Sequence, residues 1–382
     1  MPYDIHDYGS MILDSTRTSS YVEALRAAIR PGNVVLDIGA GTGIFAFAAC
    51  QFGARKVYAI ESGNVIGVAQ EVVAASGLKE RIEFIPKAST EVVLPEQVDV
   101  VVSDIHGVLP VHESGVLSIL DARERFLAPG GTLIPQRDTL RAALVNVSRL
   151  YRRLVKPWEN DSYGVDMRPV RKRAVNHWAK CRLTASDLVC APQSWATLDY
   201  RTLTTPSVRG EILSVIESEQ MAHGIAIWFD CETSNDIGFS NSPACADARI
   251  YGQLFFPWPA PIELSKGDEV LVRLRAELVG VTYIWCWDTQ VTGTDKIQKA
   301  AYRQSTLQGS GVLPAQLEKR SHNYIPGLSE DGRIDGLVLE QIGSGMTLEE
   351  ISRQVAFRFP ERFENWKAAL SRVGDLSARY SQ

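Results

Sequence analysis

The chain has 382 residues, of which 45% are hydrophobic and 22% are charged, and its formal net charge at pH 7 is −5. This length predicts two or three domains, and the composition is that of an ordinary globular protein, which excludes collagen-like repeats, coiled coil and disorder as the main architecture. A nucleic-acid-binding protein usually carries a basic footprint, so the net negative charge argues against nucleic acid as a partner.

The first third of the chain alternates short β-branched runs with Ala-, Gly- or Leu-rich segments that are typical of helices. A polar lead precedes a helix whose amphipathic stripe is formed by Tyr21, Leu25 and Ile29. Nearly continuous apolar runs then predict strands of a parallel sheet that is covered on both faces, at residues 34–36, 56–60, 82–85, 98–102 and 132–134. We therefore expect an α/β, Rossmann-like domain over residues 1–135.

After residue 135 the pattern changes to alternating polar and apolar residues, which predicts antiparallel strands. We expect an antiparallel β-barrel or sandwich over residues 136–291, interrupted by a basic, helical segment at 148–190. Polar residues with several Gly and Ser predict a linker over 292–325. Helical periodicity returns over 326–382, which predicts a small C-terminal helical domain.

The cysteines and the N-terminus bear on the compartment. The six cysteines are scattered without CxxC spacing, so we expect free thiols and no metal site. The N-terminus lacks the basic and apolar segments of a signal peptide, and no apolar run approaches the roughly 20 residues that span a bilayer. These features predict a cytoplasmic protein with no membrane partner.

A glycine-rich loop after the first predicted strand is the strongest local signal. Asp37 precedes Gly39, Gly41 and Gly43 in a DxGxGxG pattern that opens a predicted helix. Glycines allow the backbone to approach a bound nucleoside without an intervening Cβ. Glu61 follows the second predicted strand, where an acidic residue binds ribose hydroxyls in such folds. A nicotinamide cofactor and a purely structural glycine turn are the alternatives.

This loop and four further anchors follow the chain in the order found in one known family. The anchors are MILDSTRT (11–18), VVLDIGAGTGI (34–44), SDIHG to ES (103–114), WEN to YGVDM (158–167) and FSNSP (239–243). The sequence resembles the protein arginine methyltransferases, which are class I S-adenosylmethionine (SAM)-dependent methyltransferases. The resemblance implies SAM as cofactor, methyl transfer to a guanidino nitrogen, and a homodimer formed through the 148–190 arm.

The resemblance also implies roles for individual residues. Asp104 and Glu113 take the places of the family's two glutamates, nine residues apart, with Asp104 one methylene shorter. Two carboxylates can hold the planar guanidinium and keep positive charge on the nitrogens that do not react. The implied cofactor contacts are Met11, Arg17, Asp37, Gly39, Gly41, Gly43, Glu61, Ser89 and Thr90. As alternatives, Asp104 is a cap or turn acid and Glu113 is an acid in the first turn of a helix.

Three departures from the family pattern lie on the substrate side. His106 and His112 occupy a segment that is rich in aromatic residues and methionine in the family, and each is a candidate proton acceptor or a solvated loop residue. Tyr251 lies in the loop from which the family's histidine is missing, and it is a candidate substrate contact. Only Tyr3 and Tyr8 remain of the tyrosine-bearing lid. These changes favour a small guanidino substrate such as free L-arginine over an arginine-containing peptide.

Other functions remain open at this stage. The chain could methylate a different small-molecule N or O acceptor, or act as a catalytically idle SAM-binding scaffold whose tail recruits a peptide. In that tail, Thr347 followed by Glu350 predicts a capped helix start. The tail resembles the winged-helix peptide-binding module associated with pyrroloquinoline quinone biosynthesis. The alternative is a helical appendage that packs on the protein or supports a dimer.

Overall fold

A parallel sheet organises the N-terminal part of the chain, and its strands contain the predicted apolar runs. The computed structural model describes residues 3–245, 250–311, 318–319 and 321–381. The strands are β1 (Val34–Ile38), β2 (Lys56–Ile60), β3 (Ile82–Ile85), β4 (Val98–Ser103) and β5 (Leu127–Ile134). Their order in the sheet is β3-β2-β1-β4-β5, and every pair is parallel. The strand order reverses between β1 and β4, so their carboxyl ends form the crevice where ligands bind in such sheets.

Helices cover both faces of this sheet, which is why all five residues of β1 are buried. They are α2 (Ser15–Ala28), α3 (Ile44–Gln51), α4 (Ile66–Ser76) and α5 (Gly115–Arg125), whereas the preceding α1 (Ile5–Leu13) contacts α2. α2 buries Tyr21 and Leu25, as the amphipathic stripe predicts. The predicted polar lead is wrong, because Asp4 and Asp7 form a capping box that starts α1.

Two antiparallel sheets follow and confirm the predicted change of pattern. The first contains β6 (Arg137–Val145), β9 (Ala179–Cys181), β10 (Gln193–Asp199), β12 (Gln220–Ser234), β13 (Ile237–Ser240) and β14 (Gln253–Leu264). The second contains β11 (Val208–Val215), β15 (Glu269–Val279), β16 (Thr282–Thr292) and β17 (Gln298–Ser305). The path through the first is β10-β6-β12-β14-β9, with β13 on β12, and the order of the second is β11-β15-β16-β17.

The predicted arm and linker differ from the structure in their details. The arm contains α6 (Ser148–Val155), α7 (Arg168–Ala174) and the short antiparallel pair β7 (Asp161–Ser162) and β8 (Val165–Asp166), but its last part returns to the sheet as β9. The linker predicted over 292–325 is wrong in its first half, because β17 pairs with β16 and is followed by α8 (Thr306–Gly309). β17 is a strand at the end of its sheet, and its residues lack the apolar alternation that marks the other strands.

Residues 312–382 form a second compact unit. Its helices α9 (Glu330–Gln341), α10 (Leu348–Arg358) and α11 (Trp366–Tyr380) enclose a small core of buried apolar side chains, among them Ile334, Val355 and Val373. Thr347 and Glu350 form the predicted capping box. Among the described residues of this unit no strand is present, so they do not include the β-hairpin expected of a winged helix.

We expect Thr347→Ala to destabilise the start of α10 by about 1 kcal/mol, because the hydroxyl that accepts the Glu350 amide is lost. Amide hydrogen exchange of the full chain checks this: exchange in the first turn of α10 should accelerate. Thr347→Ser is the matched control, since serine keeps the capping oxygen. Equal protection in all three proteins would contradict the assignment.

The structure also bears on thiols and on membranes. All six cysteines lie in the described ranges and carry free thiols. Within those ranges, no helix combines the length and the apolar character that a bilayer crossing needs.

Candidate active site

The glycine loop lies between β1 and α3, and its backbone conformation explains the glycines. Gly39, Gly41 and Gly43 have φ angles of 73°, 53° and 85°, which L side chains rarely adopt. A Cβ on Gly39 would lie 2.5 Å from Cγ2 of Ile105, and one on Gly41 would lie 2.9 Å from the ring of Tyr8. The loop therefore forms a cradle that a side chain would fill.

Two carboxylates flank this cradle. Asp37 is only 1% exposed, and among the described residues neither of its oxygens has a hydrogen-bond partner of normal geometry. Burial raises the pKa of Asp37 to about 7, and the Ala46 amide opposes the shift only in part. Glu61 accepts the amide N–H groups of Gly41 at 3.0 Å and Gly63 at 2.7 Å. A buried carboxyl without a partner is unfavourable, so this site fits a ligand that brings positive charge and a nucleoside.

The other predicted cofactor contacts lie around the same edge of the sheet. Ser89 is buried just after β3 and its carbonyl accepts from Arg125, whereas Thr90 is exposed. Met11 contributes its backbone: the carbonyl accepts from the guanidinium of Arg17 at 3.0 Å. These contacts to a cofactor remain predictions.

Asp104 follows β4 at the carboxyl edge of the sheet, and its side chain is 3% exposed. Its carboxylate accepts hydrogen bonds from Arg17 Nε, from the Tyr251 hydroxyl at 2.7 Å, from His106 Nδ1 at 3.1 Å and from the Tyr21 hydroxyl at 3.4 Å. Burial alone would raise the pKa of Asp104, but the charges of Arg17 and His106 hold it well below its usual range. Asp104 is therefore an ionised carboxylate that already binds a guanidinium.

His106 is held from both sides. Its ring stacks on Phe229 with centroids 5.0 Å apart, and its Nε2 lies 2.8 Å from Oδ2 of Asp138. Burial would lower the pKa of His106, but Asp138 and Asp104 together raise it to about 10. The ring is therefore a charged imidazolium that donates from both nitrogens, which corrects its interpretation as a proton acceptor or a solvated loop residue.

Sequence reasoning missed Asp138. It is fully buried on β6, and the Tyr200 hydroxyl also donates to its Oδ2. The sequence did contain a signal, the alternation of side chains along a strand. Asp138 lies two residues from Leu140, so both side chains are on the inward-facing side of β6, where an unpaired charge is unfavourable. A charged residue at such a position predicts a buried cationic partner, here His106.

Ligand atoms of His106, Asp138 and Cys231 lie within 4.8 Å of one another, a spacing that suits a metal ion. Both ring nitrogens of His106 already donate to carboxylates, and burial raises the pKa of the Cys231 thiol well above its usual value. A metal would need these protons removed. The protons that these residues hold therefore argue against a metal ion at this cluster, although Oδ1 of Asp138 has no hydrogen-bond partner among the described residues.

Glu113 differs from Asp104 in exposure, since its side chain is 80% exposed. His112 Nδ1 lies 3.8 Å from Glu113 Oε1, and the ring packs edgewise on Trp178. Burial lowers the pKa of His112, so the imidazole is neutral at pH 7 and does not offset the charge of Glu113. Burial and then the charges of Glu113 and Asp104 raise the pKa of Tyr3, so both acids act on the same hydroxyl.

Tyr251 is 5% exposed, and its ring stacks in parallel on Phe239 with centroids 5.8 Å apart. Its hydroxyl is engaged by Asp104. The structure thus places Tyr251 as a donor to the first acid, and a direct contact with an acceptor remains a prediction.

Comparison with known proteins identifies the family. Residues 15–135 match the family model "Ribosomal protein L11 methyltransferase (PrmA)", and residues 136–278 match "Arginine methyltransferase oligomerization subdomain". Protein arginine N-methyltransferase 6 of Danio rerio is 34% identical over 59% of this chain and 68% of its own length. The Xenopus tropicalis protein of that name is 31% identical over 72% of this chain and 83% of its own length. The chain spans 56% of a probable protein arginine N-methyltransferase 6 of Arabidopsis thaliana, at 32% identity.

Solved structures share the fold. The Trypanosoma brucei PRMT1 enzyme–prozyme heterotetrameric complex with AdoHcy is similar with a TM-score of 0.72 at 22% identity, covering 80% of this chain and 98% of that one. Arabidopsis thaliana protein arginine methyltransferase 10 gives a TM-score of 0.70 at 22% identity, covering 79% and 97%. The chain therefore belongs to the protein arginine methyltransferase family, whose members are SAM-dependent enzymes with the class I methyltransferase fold.

Proposed function

We propose that this chain transfers a methyl group from SAM to a guanidino nitrogen of an arginine acceptor. The observation that carries the proposal is Asp104, a buried carboxylate at the ligand edge of the sheet that already binds the guanidinium of Arg17. Glu113 supplies a second carboxylate, which is 80% exposed and lies beside the neutral ring of His112. Two carboxylates suit a planar cation, which they can hold by charge-assisted hydrogen bonds.

The residues of the chain divide the work as follows. The glycine cradle and Glu61 would hold the nucleoside of SAM, and Asp37 would face its positive charge. SAM, when bound, supplies an electrophilic methyl group. Asp104 and Glu113 would orient the acceptor so that the reacting nitrogen is aligned with that methyl group.

The acids would also change the reactivity of the acceptor. A guanidinium is a poor nucleophile because its electrons are delocalised and its pKa lies above about 12. Charge-assisted hydrogen bonds to carboxylates keep positive charge on the nitrogens that do not react. Glu113 is exposed, so the proton lost from the methylated nitrogen can leave through it to water.

The acceptor itself is proposed to be an arginine within a peptide or protein. The relatives carry the name protein arginine N-methyltransferase, and this supports a peptide acceptor. The small acceptor predicted from the sequence, free L-arginine, has no support from these relatives. Methylation of a peptide arginine and of free L-arginine is the same reaction, so one assay can compare the two acceptors.

The test offers deuteromethyl SAM to the full chain with either a glycine- and arginine-rich peptide or free L-arginine. Mass spectrometry should find the labelled methyl group on a guanidino nitrogen of the peptide. Label on free L-arginine alone would move the proposal to a small acceptor. Transfer to a different N or O acceptor, or none to any candidate, would overturn it.

A homodimer formed through the 148–190 arm and a cytoplasmic location are also proposals. The match of residues 136–278 to an oligomerization subdomain supports the first, and six free thiols are compatible with the second. Sedimentation of the purified chain should give the mass of two copies, and a monomer at micromolar concentration would contradict the homodimer.

A further inference from the structure

We propose that His106 and Asp138 are positioning residues that fix the Asp104 carboxylate for the acceptor, an inference that rests on the proposed function. Neither residue is needed to touch the acceptor. His106 bridges the two acids, 3.1 Å from Asp104 and 2.8 Å from Asp138. It therefore transmits the position of one carboxylate to the other.

The chain of hydrogen bonds connects the two sheets that meet at the site. It begins at Tyr200, directly after β10, passes through Asp138 on β6 and His106, and ends at Asp104 after β4. The side chains of all four residues are buried. Phe229 stacks on the imidazole with an interplanar angle of 10°, so the ring cannot turn without losing this contact. Residues of the antiparallel sheet thus hold Asp104, which follows a strand of the parallel sheet, in position.

The charges of the cluster require the protonated ring. Arg17 and His106 are the two cations and Asp104 and Asp138 are the two anions, and each of these side chains is at most 9% exposed. A neutral imidazole would donate only one N–H and would leave one buried carboxylate without that partner. The titratable and charged groups that face His106 or its carboxylates are Arg17 and Tyr21 from α2, Asp104, Asp138, Tyr200, Cys231 from β12 and Tyr251.

This arrangement explains how Asp104, one methylene shorter than a glutamate, can bind the acceptor. Asp104 has little freedom of its own because Arg17, Tyr251 and His106 hold it in place. A displacement of about 1 Å at a reacting group can reduce a rate about a hundredfold. We therefore expect loss of the imidazole to lower turnover without removing the cofactor site.

The first test replaces His106 by Gln in the full chain. We expect kcat for the arginine acceptor to fall about tenfold to a hundredfold, with the affinity for AdoHcy changed less than about threefold. His223→Gln is the matched control, because His223 is also buried but contacts the Val147 amide instead of this cluster. It should alter stability without this split between kcat and cofactor affinity. Unchanged kcat in His106→Gln would overturn the proposal.

The second test uses Asp138→Asn, which keeps a hydrogen-bond acceptor but removes one negative charge. In the native protein both carboxylates raise the pKa of His106, to about 10, so the ring stays charged across neutral pH. In the variant the pKa falls, and the rate should decline as the pH rises through about 7 to 9 and recover at lower pH. A purely structural role would not change the pH profile. The same profile in both proteins would overturn the proposal.

Two measurements separate this proposal from the proposed function. Turnover of the native enzyme on arginine acceptors tests the function alone. Chemical shifts of the His106 ring nitrogens, which need no acceptor, should report an imidazolium at pH 8 in the native protein and titration in Asp138→Asn. A neutral His106 ring in the native protein would overturn the proposal. Binding of one equivalent of metal by the native protein, lost in Cys231→Ser, would overturn it as well.

Discussion

Glu113→Gln is expected to lower kcat on an arginine acceptor by about a hundredfold to a thousandfold, because it removes the exposed charge that we propose binds the acceptor. The amide of glutamine keeps the shape of the side chain and one acceptor oxygen. The neutral amide cannot stabilise positive charge on the guanidinium nitrogens that do not react. That stabilisation strengthens in the transition state, as the lone pair of the reacting nitrogen becomes localised. Rates at saturating acceptor and cofactor measure the loss.

We expect Glu113→Gln to lower kcat and to leave cofactor affinity nearly unchanged. AdoHcy affinity should stay within about threefold of the native value, since Glu113 lies in the hairpin before α5 and not in the glycine cradle. Glu124→Gln is the matched control, an exposed glutamate near the end of the same helix whose removal should leave kcat unchanged. Equal rates for Glu113→Gln and the native enzyme would remove Glu113 from the mechanism.

Asp104→Asn would be a less direct test of the same chemistry. It should also lower turnover, but it removes the common partner of Arg17, His106 and Tyr251. The loss would then combine a missing charge with a disordered cluster. The two substitutions therefore test different things, because Asp104 is buried within a hydrogen-bond network and Glu113 is 80% exposed.

The parallel sheet was predictable because its central strands β1, β2 and β4 are buried on both faces. Burial on both faces requires nearly continuous apolar runs, and these are visible without any partner. β17 was not predictable in this way, since it is a strand at the end of its sheet with largely polar residues. α1 was missed for a similar reason: it buries none of its residues, and its start depends on the local capping box of Asp4 and Asp7.

The site shows the same division between local and non-local information. The spacing of Asp104 and Glu113 and the glycine pattern are local, so the sequence indicates them. The alternative for Glu113 placed it in the first turn of a helix, whereas in the structure it lies two residues before Gly115, the first residue of α5. The partnership of His106 with Asp138 is not local: the residues are 32 positions apart and meet only when β6 packs beside the end of β4.

Asp37→Asn is expected to remove a pH dependence of cofactor affinity that the native protein shows. In the unliganded protein burial raises the pKa of Asp37 to about 7, so part of the population is neutral at physiological pH. The positive charge of SAM favours the ionised carboxylate. Native affinity should therefore increase about tenfold between about pH 6 and pH 8, with release of close to one proton near pH 6.

Calorimetry in two buffers of different ionisation enthalpy counts the protons released on binding, and Asp37→Asn should release none.

The pH dependence of folding stability provides an independent check. The pKa of Asp37 is raised on folding from its ordinary value of 3.8, so its contribution to stability is present at low pH and is lost as the pH rises towards about 7. Without cofactor, the stability of Asp37→Asn relative to the native protein should therefore increase from about pH 5 to pH 8. If the affinity of the variant kept the native slope, another group would be responsible, and the buried carboxyl beside the glycine cradle would have no role in recognising the charge of SAM.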